Sequence, residues 1–460
     1  MNLLVIGGGP GGYVAALRAA QLGANVTLVE KDQLGGTCLN VGCIPTKALL
    51  HTAEVYKSAR ENAEIGVITD AKLDFGKAQQ SKKLIVSKLT RGIKSLLEAN
   101  NIKVLHGIAS FIDHAHIKIS QGGESSILKA DQVIIATGSV PMMPSIPGIN
   151  AKQCIDSTGA LDLETMPKSM LIIGGGVIGV EMATIFNTLG CKVTIVEMMP
   201  SILPLVDEEI SDLLSKRLKK EGMFIYTSSK VEAIIDKVNC ALVRIIQQNG
   251  EQIEIEAEMV LVSIGRKINT DSLNLESAGI KHERGRILVD NNLRTNIKGI
   301  YAIGDCTGGS MLAHVASMQG EVAAENSMGA NLDFSLKTNT SCVYSDPEIA
   351  CVGITEQQAK ERKLNYTVGK FPLSANGKSM IMKSDGLVKI IVGKEYGEIL
   401  GAHIIGPRAT DMIAECALMI GMEATIEEVI ATIHPHPTVS ESVREAVLAA
   451  DKRAIHILNR

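Results

Sequence analysis

At 460 residues the chain is long enough for about three domains, and 45% apolar with 21% charged residues excludes a disordered or coiled-coil protein. Forty-six Lys and Arg against 50 acids give a net charge of −4, and seven Tyr, six Phe and no Trp offer few stacking platforms, so no nucleic-acid partner is expected. Nine scattered cysteines do not form the dense framework of a small secreted protein, which favours a reducing, cytoplasmic setting.

In chain order, Leu3 to Leu17 is an uncharged run, but its 15 residues are too few to span a bilayer and it has no basic flank. Neither a cleaved leader nor a membrane anchor is expected. The run reads instead as strand, glycine turn and helix, followed by a second strand, Val26 to Glu30. Gly7 would make the tight turn, Gly9 would let the backbone approach a pyrophosphate at the helix N-terminus, and Gly12 would let helix and strand pack closely. Glu30 closes the second strand, where a carboxylate can accept hydrogen bonds from ribose hydroxyls.

Next comes Gly35-Gly36-Thr37-Cys38-Leu39-Asn40-Val41-Gly42-Cys43-Ile44-Pro45-Thr46-Lys47, leading into a helical stretch. No second Cys or His pair follows at zinc-ligand spacing, so no metal is expected. Two buried thiols would fit Cys38 and Cys43. A redox disulfide is the sharper reading, since Pro45 puts Cys43 near a helix N-terminus, where the dipole stabilises a thiolate. The pair His114-x-His116 lacks a third ligand and reads as a solvated strand.

The first glycine pattern then recurs with every landmark displaced by 167 residues: Gly174, Gly176 and Gly179, then Gly190, then Glu197. Two dinucleotide sites are therefore expected. Glu197 would repel a 2′-phosphate, and Met198, Met199 and Pro200 supply no Arg to hold one, so NAD is expected over NADP. From about residue 338 the pattern changes to strands such as 387–392 and 399–405 mixed with helices such as 411–421, a separate α+β domain. Near the C-terminus, His434-Pro435-His436-Pro437-Thr438-Val439-Ser440-Glu441 precedes a helix. A histidine held by a carboxylate could supply the base that thiol exchange needs. Thr438-x-x-Glu441 is equally a capping box, and both histidines could be turn residues between prolines.

The cysteine segment and the two glycine turns resemble those of the flavin-dependent pyridine nucleotide-disulfide oxidoreductases, class I, and within them the branch that acts on dihydrolipoamide. The resemblance extends over essentially the whole chain. It implies an α/β fold of two Rossmann-like dinucleotide-binding domains, the NAD domain inserted in the FAD domain, plus a C-terminal α+β dimerisation domain. The expected bounds are 1–145 and 268–337 for the FAD side, 146–267 for NAD and 338–460 for the interface. It further implies that Gly7, Gly9, Gly12 and Glu30 hold FAD, that Gly174, Gly176, Gly179 and Glu197 hold NAD, and that Thr137 and Gly138 make the crossover between the domains. Asp305 would bind the ribityl chain, and Gly265 and Ala313 would also contact cofactor; His314 would be positional. Lys47 and Glu181 would form an ion pair beside the flavin. Cys38 and Cys43 would be the redox disulfide, His436 the base and Glu441 its orienting partner, acting across a homodimer.

The implied activity is reoxidation of protein-bound dihydrolipoamide with transfer of the hydride to NAD+, the partner being a lipoyl domain of an acyltransferase or of a glycine cleavage carrier protein. The implied setting is a 2-oxo acid dehydrogenase or glycine cleavage complex. Pro435 stands where the family usually has Ala and Ile268 where it usually has Pro. A glutathione-type reductase would need a basic NADP pocket, and a mercuric-type one a C-terminal cysteine pair; the chain ends His456-Ile457-Leu458-Asn459-Arg460.

Overall fold

A computed structural model describes residues 1–459. The opening apolar run becomes the central strand of a five-stranded parallel sheet, ordered Ile300–Ala302, Gln132–Ile135, Asn2–Ile6, Asn25–Glu30 and Lys103–His106. Its strands read as continuous rather than alternating apolar runs because both faces are covered. The helix Pro10–Gln21 lies against Ala313–Ser327 on one side, around Ala15, Ala16, Ala19, Ala323 and Ala324. On the other side an antiparallel layer, Ile108–Phe111, His116–Gln121 and Glu124–Lys129, packs Ala109, Phe111 and Ile117 onto Leu4, Ile6 and Val29.

The second glycine turn lies in a second five-stranded parallel sheet, ordered Phe224–Tyr226, Lys192–Val196, Ser169–Ile173, Met259–Val262 and Cys154–Ile155. It too carries a three-stranded antiparallel layer, Lys230–Asp236, Ala241–Ile246 and Gln252–Ala257, packed on Leu171, Ile173 and Val260. The repeat thus extends through a whole layer whose sequence gives no sign of it. Two strands of the connections run side by side, Ser139–Pro141 antiparallel to Arg266–Ile268, with Ile268 opposite Ser139.

The C-terminal sheet is wholly antiparallel, ordered Thr340–Val343, Glu348–Gly353, Ile399–Gly406, Leu387–Gly393 and Tyr366–Pro372. Helices Ala409–Gly421 and Glu441–Ala450 cover one face through Met412, Ile413, Cys416, Val443 and Val447. Val343, Ile349, Leu387 and Ile405 on this sheet join a core shared with helix Val177–Thr188. Among the described residues no helix is long and apolar enough to cross a membrane, and no three His, Cys, Asp or Glu side chains gather as a metal site. His114 lies in a turn, outside the strand that His116 begins, so the two do not share a strand face; His116 instead pairs with Asp113 at 2.9 Å.

Candidate active site

The two glycine turns have the same local construction. Gly7 and Gly174 adopt φ of +105° and +107°. A Cβ on Gly12 would sit 1.8 Å from the Gly7 carbonyl oxygen, and one on Gly179 2.1 Å from that of Gly174, so only glycine lets each helix start this close to its strand. Gly9 and Gly176 are the N-caps and have no such crowding: a Cβ at Gly9 would meet only Gly36, at 3.9 Å, and one at Gly176 nothing within 4 Å. Neither helix start has a side-chain cap, which leaves the first N–H groups for an anion.

Glu30 and Glu197 fasten these turns identically. Glu30 accepts the Gly8 N–H at 2.7 Å and the Asp32 N–H at 2.7 Å; Glu197 accepts those of Gly175 and Met199 at 2.6 and 2.7 Å. Over each turn a following segment closes by one main-chain bond, Gly35 N–H to Gly8 O at 2.8 Å and Leu203 N–H to Gly175 O at 2.9 Å.

Both turns open into one cavity of about 1710 Å³. Its wall brings together Cys38, Cys43, Lys47, Thr137, Gly138, Glu181, Gly265, Asp305, Ala313 and His314 with Gly7, Gly9, Glu30, Gly174, Gly176 and Glu197. Gly12 and Gly179 lie behind the wall, where they set helix against strand. Asp305 accepts a hydrogen bond from the Ser139 hydroxyl, and Ala313 opens a third uncapped helix, Ala313–Ser327, at the cavity. His314 Nε2 bonds Thr340 O at 3.0 Å, tying that helix to the C-terminal sheet. The size of the cavity, the uncapped helix starts and the open space at both N-cap glycines fit two dinucleotides.

Cys38 ends up in the short helix Gly36–Val41, and Cys43 opens the helix Cys43–Glu61. The two thiols are unbridged and unequal. The neighbouring Cys38 thiol, aided by Lys47, pulls Cys43 down to about 7, against burial and Glu181. Its neighbour Cys43, with burial, pushes Cys38 up. Lys47 Nζ donates to both carboxylate oxygens of Glu181, at 3.0 and 2.8 Å, linking helix Cys43–Glu61 to Val177–Thr188. Cys191, Cys351 and Cys416 are pushed up to about 12 by burial, as unreactive core thiols.

His436 and Glu441 are absent from the cavity wall. The imidazole is 79% exposed and its Nδ1 lies 2.9 Å from Glu441 Oε1. A carboxylate can only accept, so Nδ1 carries a proton, and in the neutral ring Nε2 has the lone pair. Glu441 Oε2 also accepts the Thr438 N–H at 2.8 Å, so the capping and orienting roles coexist. His434 is no free turn residue: its Nε2 lies 2.7 Å from Glu415, with the ring buried.

Two cavity residues were not singled out in the sequence. Arg266 donates to Ser139 Oγ at 2.7 Å and Ser139 O at 2.8 Å, and reaches Thr37, next to Cys38, at 3.4 Å. Its place directly after Gly265 was the available signal. Tyr344, beside Lys47, had none.

Residues 1–320 match the family model described as pyridine nucleotide-disulphide oxidoreductase, and 340–447 match that family's dimerisation domain. Curated relatives include a dihydrolipoyl dehydrogenase of Bacillus subtilis, 44% identical over 99% of both chains, and one of Thermus scotoductus, 44% identical over 100% of this chain and 99% of its own. Among solved structures, LpdA from Mycobacterium tuberculosis superimposes with a TM-score of 0.91 at 27% identity, covering 97% of this chain and 99% of its own. The HOCl-induced flavoprotein disulfide reductase RclA from Escherichia coli, as a Cu(II) complex, gives 0.89 at 30% identity over 97% and 98%.

Proposed function

From the premise that this chain belongs to the pyridine nucleotide-disulphide oxidoreductase family, we propose that it reoxidises dihydrolipoyl groups with its cysteine pair. The chain is an NAD-dependent dihydrolipoyl dehydrogenase that uses FAD and works as a homodimer. The observation that carries the reading is the single cavity where both glycine turns meet Cys38 and Cys43, with the His436–Glu441 pair held outside it.

In detail, residues 1–145 and 268–337 form the flavin side, 146–267 the nicotinamide side and 338–460 the interface. Gly7, Gly9, Gly12, Glu30, Thr137, Gly138, Asp305 and Ala313 serve the flavin, with the Lys47–Glu181 pair beside it. Gly174, Gly176, Gly179, Glu197 and Gly265 serve NAD. His436, its Nδ1–H committed to Glu441, takes the proton of a dihydrolipoyl thiol at Nε2. The thiolate attacks Sγ of Cys38 in the disulfide form, and the Cys38–Cys43 bond breaks. Cys43 is the sulfur that leaves because the low-pKa thiolate is the better leaving group. The second lipoyl thiol then closes the dithiolane ring, its proton going to Cys38 as that sulfur departs. One proton ends on His436, one on Cys38, and Cys43 is a thiolate. FAD, when bound, would supply the two-electron relay from the Cys38 thiol and Cys43 thiolate to NAD+, the cysteines returning to the disulfide.

The base reaches the cysteines of the partner subunit, which explains its exposure here. The lipoyl group arrives on a carrier or acyltransferase domain in a cytoplasmic complex. Glutathione- and mercuric-reductase readings are not favoured: dihydrolipoyl dehydrogenases match at 40–44% over the full length, and Glu197, with Met198, Met199 and Pro200 after it, supplies no cation for a 2′-phosphate. An anaerobic titration with dihydrolipoamide, followed by turnover with NAD+ and with NADP+, tests the reading. NADH formation with NAD+ preferred is expected; reduction of neither nucleotide would sink it.

A further inference from the structure

Lys47 and Glu181 belong to helices of two different units, and what keeps them together beside Cys43 comes from a third. Tyr344 follows the edge strand Thr340–Val343 of the C-terminal sheet and lines the cavity. Its main-chain N–H donates to Glu181 Oε1 at 3.0 Å, and Lys47 Nζ lies 4.3 Å from the centre of its ring. One residue therefore grips both members of the pair, the carboxylate through the backbone and the ammonium through the ring face.

The pair has opposing effects on Cys43: Lys47 favours the thiolate and Glu181 disfavours it. The other titratable or charged groups felt by Cys43 are Cys38, Arg266 and Tyr344 itself; Cys342 faces Lys47 and Glu181. Cys342 is pushed up to about 11 by burial and brings no charge at neutral pH. The balance at Cys43 thus depends on where the Lys47 ammonium is held. Lysine has a flexible four-carbon stem and loses rotamer freedom when fixed, so a ring that seats it makes a measurable difference.

We infer that Tyr344 is a positioning residue for the redox centre: its ring seats Lys47, its amide seats Glu181, and together they set the field in which Cys43 becomes a thiolate. The C-terminal domain thereby acts on the redox centre of its own subunit while supplying the base to its partner's. The role rests on Cys43 being the thiolate of the reduced pair.

The test uses the FAD-loaded dimer carrying Cys38→Ser, which cannot form the disulfide but whose hydroxyl can still donate to Cys43. Its long-wavelength absorption, from thiolate against flavin, is recorded as a function of pH. The midpoint should lie below that of an ordinary cysteine thiol, since Lys47 still favours the thiolate. Adding Tyr344→Phe, which keeps the ring, should leave the midpoint in place. Adding Tyr344→Leu, which keeps only the amide, should raise it by about half a unit, roughly threefold in thiolate at a given pH. An unmoved midpoint in the Leu variant overturns the role, as does a Phe variant that shifts as far as Leu. Should Tyr344→Leu lose FAD, Tyr344→Met fills the space without a ring face and makes the same comparison. A parent Cys38→Ser enzyme with no pH-dependent band would overturn the thiolate reading itself, whereas a normal parent with an unmoved Leu variant overturns only the role of Tyr344.

Discussion

His436 Nδ1 lies 2.9 Å from Glu441 Oε1, and the other oxygen of the same carboxylate accepts the Thr438 amide at 2.8 Å. Burial opposes ionisation of Glu441, but the Thr438 amide and His436 together hold its carboxyl below the usual range. An amide in place of the carboxylate has one accepting atom for these two donors. Glu441→Gln should therefore lower dihydrolipoamide turnover by up to about 10²-fold through a misplaced imidazole. His436→Gln should cost ~10² to 10⁴-fold, as for a lost acid-base group. Steady-state rates with FAD content checked on each variant decide it; a Glu441→Gln enzyme as slow as His436→Gln would make the carboxylate more than an orienting group.

The exposed imidazole makes a second prediction. Mixed dimers of a Cys38→Ser subunit with a His436→Gln subunit should regain about half the wild-type activity per dimer, because the intact cysteines of the second subunit meet the intact base of the first. Each homodimeric parent should be nearly inactive toward dihydrolipoamide. Tandem-tagged mixed dimers as inactive as the parents would place base and cysteines in one subunit.

The two nucleotide turns should be separable by mutation. At Gly176 an added methyl meets no protein atom within 4 Å. Gly176→Ala should thus leave the unfolding temperature and FAD content unchanged while weakening NAD+ by about tenfold or more, ~1.4 kcal/mol, by occupying the space where the pyrophosphate approaches. Gly179→Ala, with its Cβ 2.1 Å from Gly174 O, should both weaken NAD+ and lower the unfolding temperature. Calorimetric titration with NAD+ beside thermal unfolding checks both; equal loss of stability in the two variants would count against the open space at Gly176.

Deep between the second parallel sheet's domain and the C-terminal sheet, Lys389 meets Asp207 at 2.9 Å, Glu209 at 3.0 Å and Glu356 at 2.7 Å, with Lys389 and Asp207 only 2% and 0% exposed. Burial opposes the charges, but Lys389 holds Asp207 below its ordinary range, Lys360 together with Lys389 brings Glu356 down to about 2, and the carboxylates raise Lys389. Removing the ammonium strands the buried Asp207 and leaves Glu356 to Lys360 and Glu209 to Lys370, so Lys389→Met should destabilise by about 3–5 kcal/mol at pH 7. A carboxyl depressed in the fold gives its stability above the unfolded pKa and loses it as pH falls through the folded one. For Glu356 that window runs from 4.5 down to about 2. The gap in unfolding temperature between wild type and variant should therefore narrow across that window as the carboxylates are protonated. A gap that stays constant would show that Lys389 contributes packing rather than charge.

What could be read from the sequence was local. A glycine turn is written in consecutive residues because chain geometry forces it, and the Cys38 to Lys47 segment is contiguous. Pairings across long separations left less trace. Lys47 and Glu181 stand 134 residues apart and were brought together only by resemblance; Lys389 and Asp207 are 182 apart and were not noticed. Lys389 sits in a run that reads only as a strand, yet every residue of Leu387–Gly393, the lysine included, is buried. His434 looked like a partner of the neighbouring prolines, while its carboxylate lies 19 residues upstream on helix Ala409–Gly421. Periodicity records which face of an element is covered, not which distant charge will meet it there.

The segments that close over the two glycine turns share one anchor but differ in what they carry. Over the first turn lies the short helix bearing Cys38, held in shape by Asn40, which donates to Leu34 O and Gly36 O within the same segment. Over the second lies a loop that continues into Leu205, 94% exposed. A dinucleotide under the first turn would therefore lie beneath the redox centre, so that its cover and the reacting sulfurs belong to one piece of chain. One under the second would lie beneath a segment pinned at Ile202 and Leu203, 0% and 2% exposed, whose exposed tip carries no part of the chemistry. The same main-chain anchor thus serves a cover that reacts and a cover that only encloses.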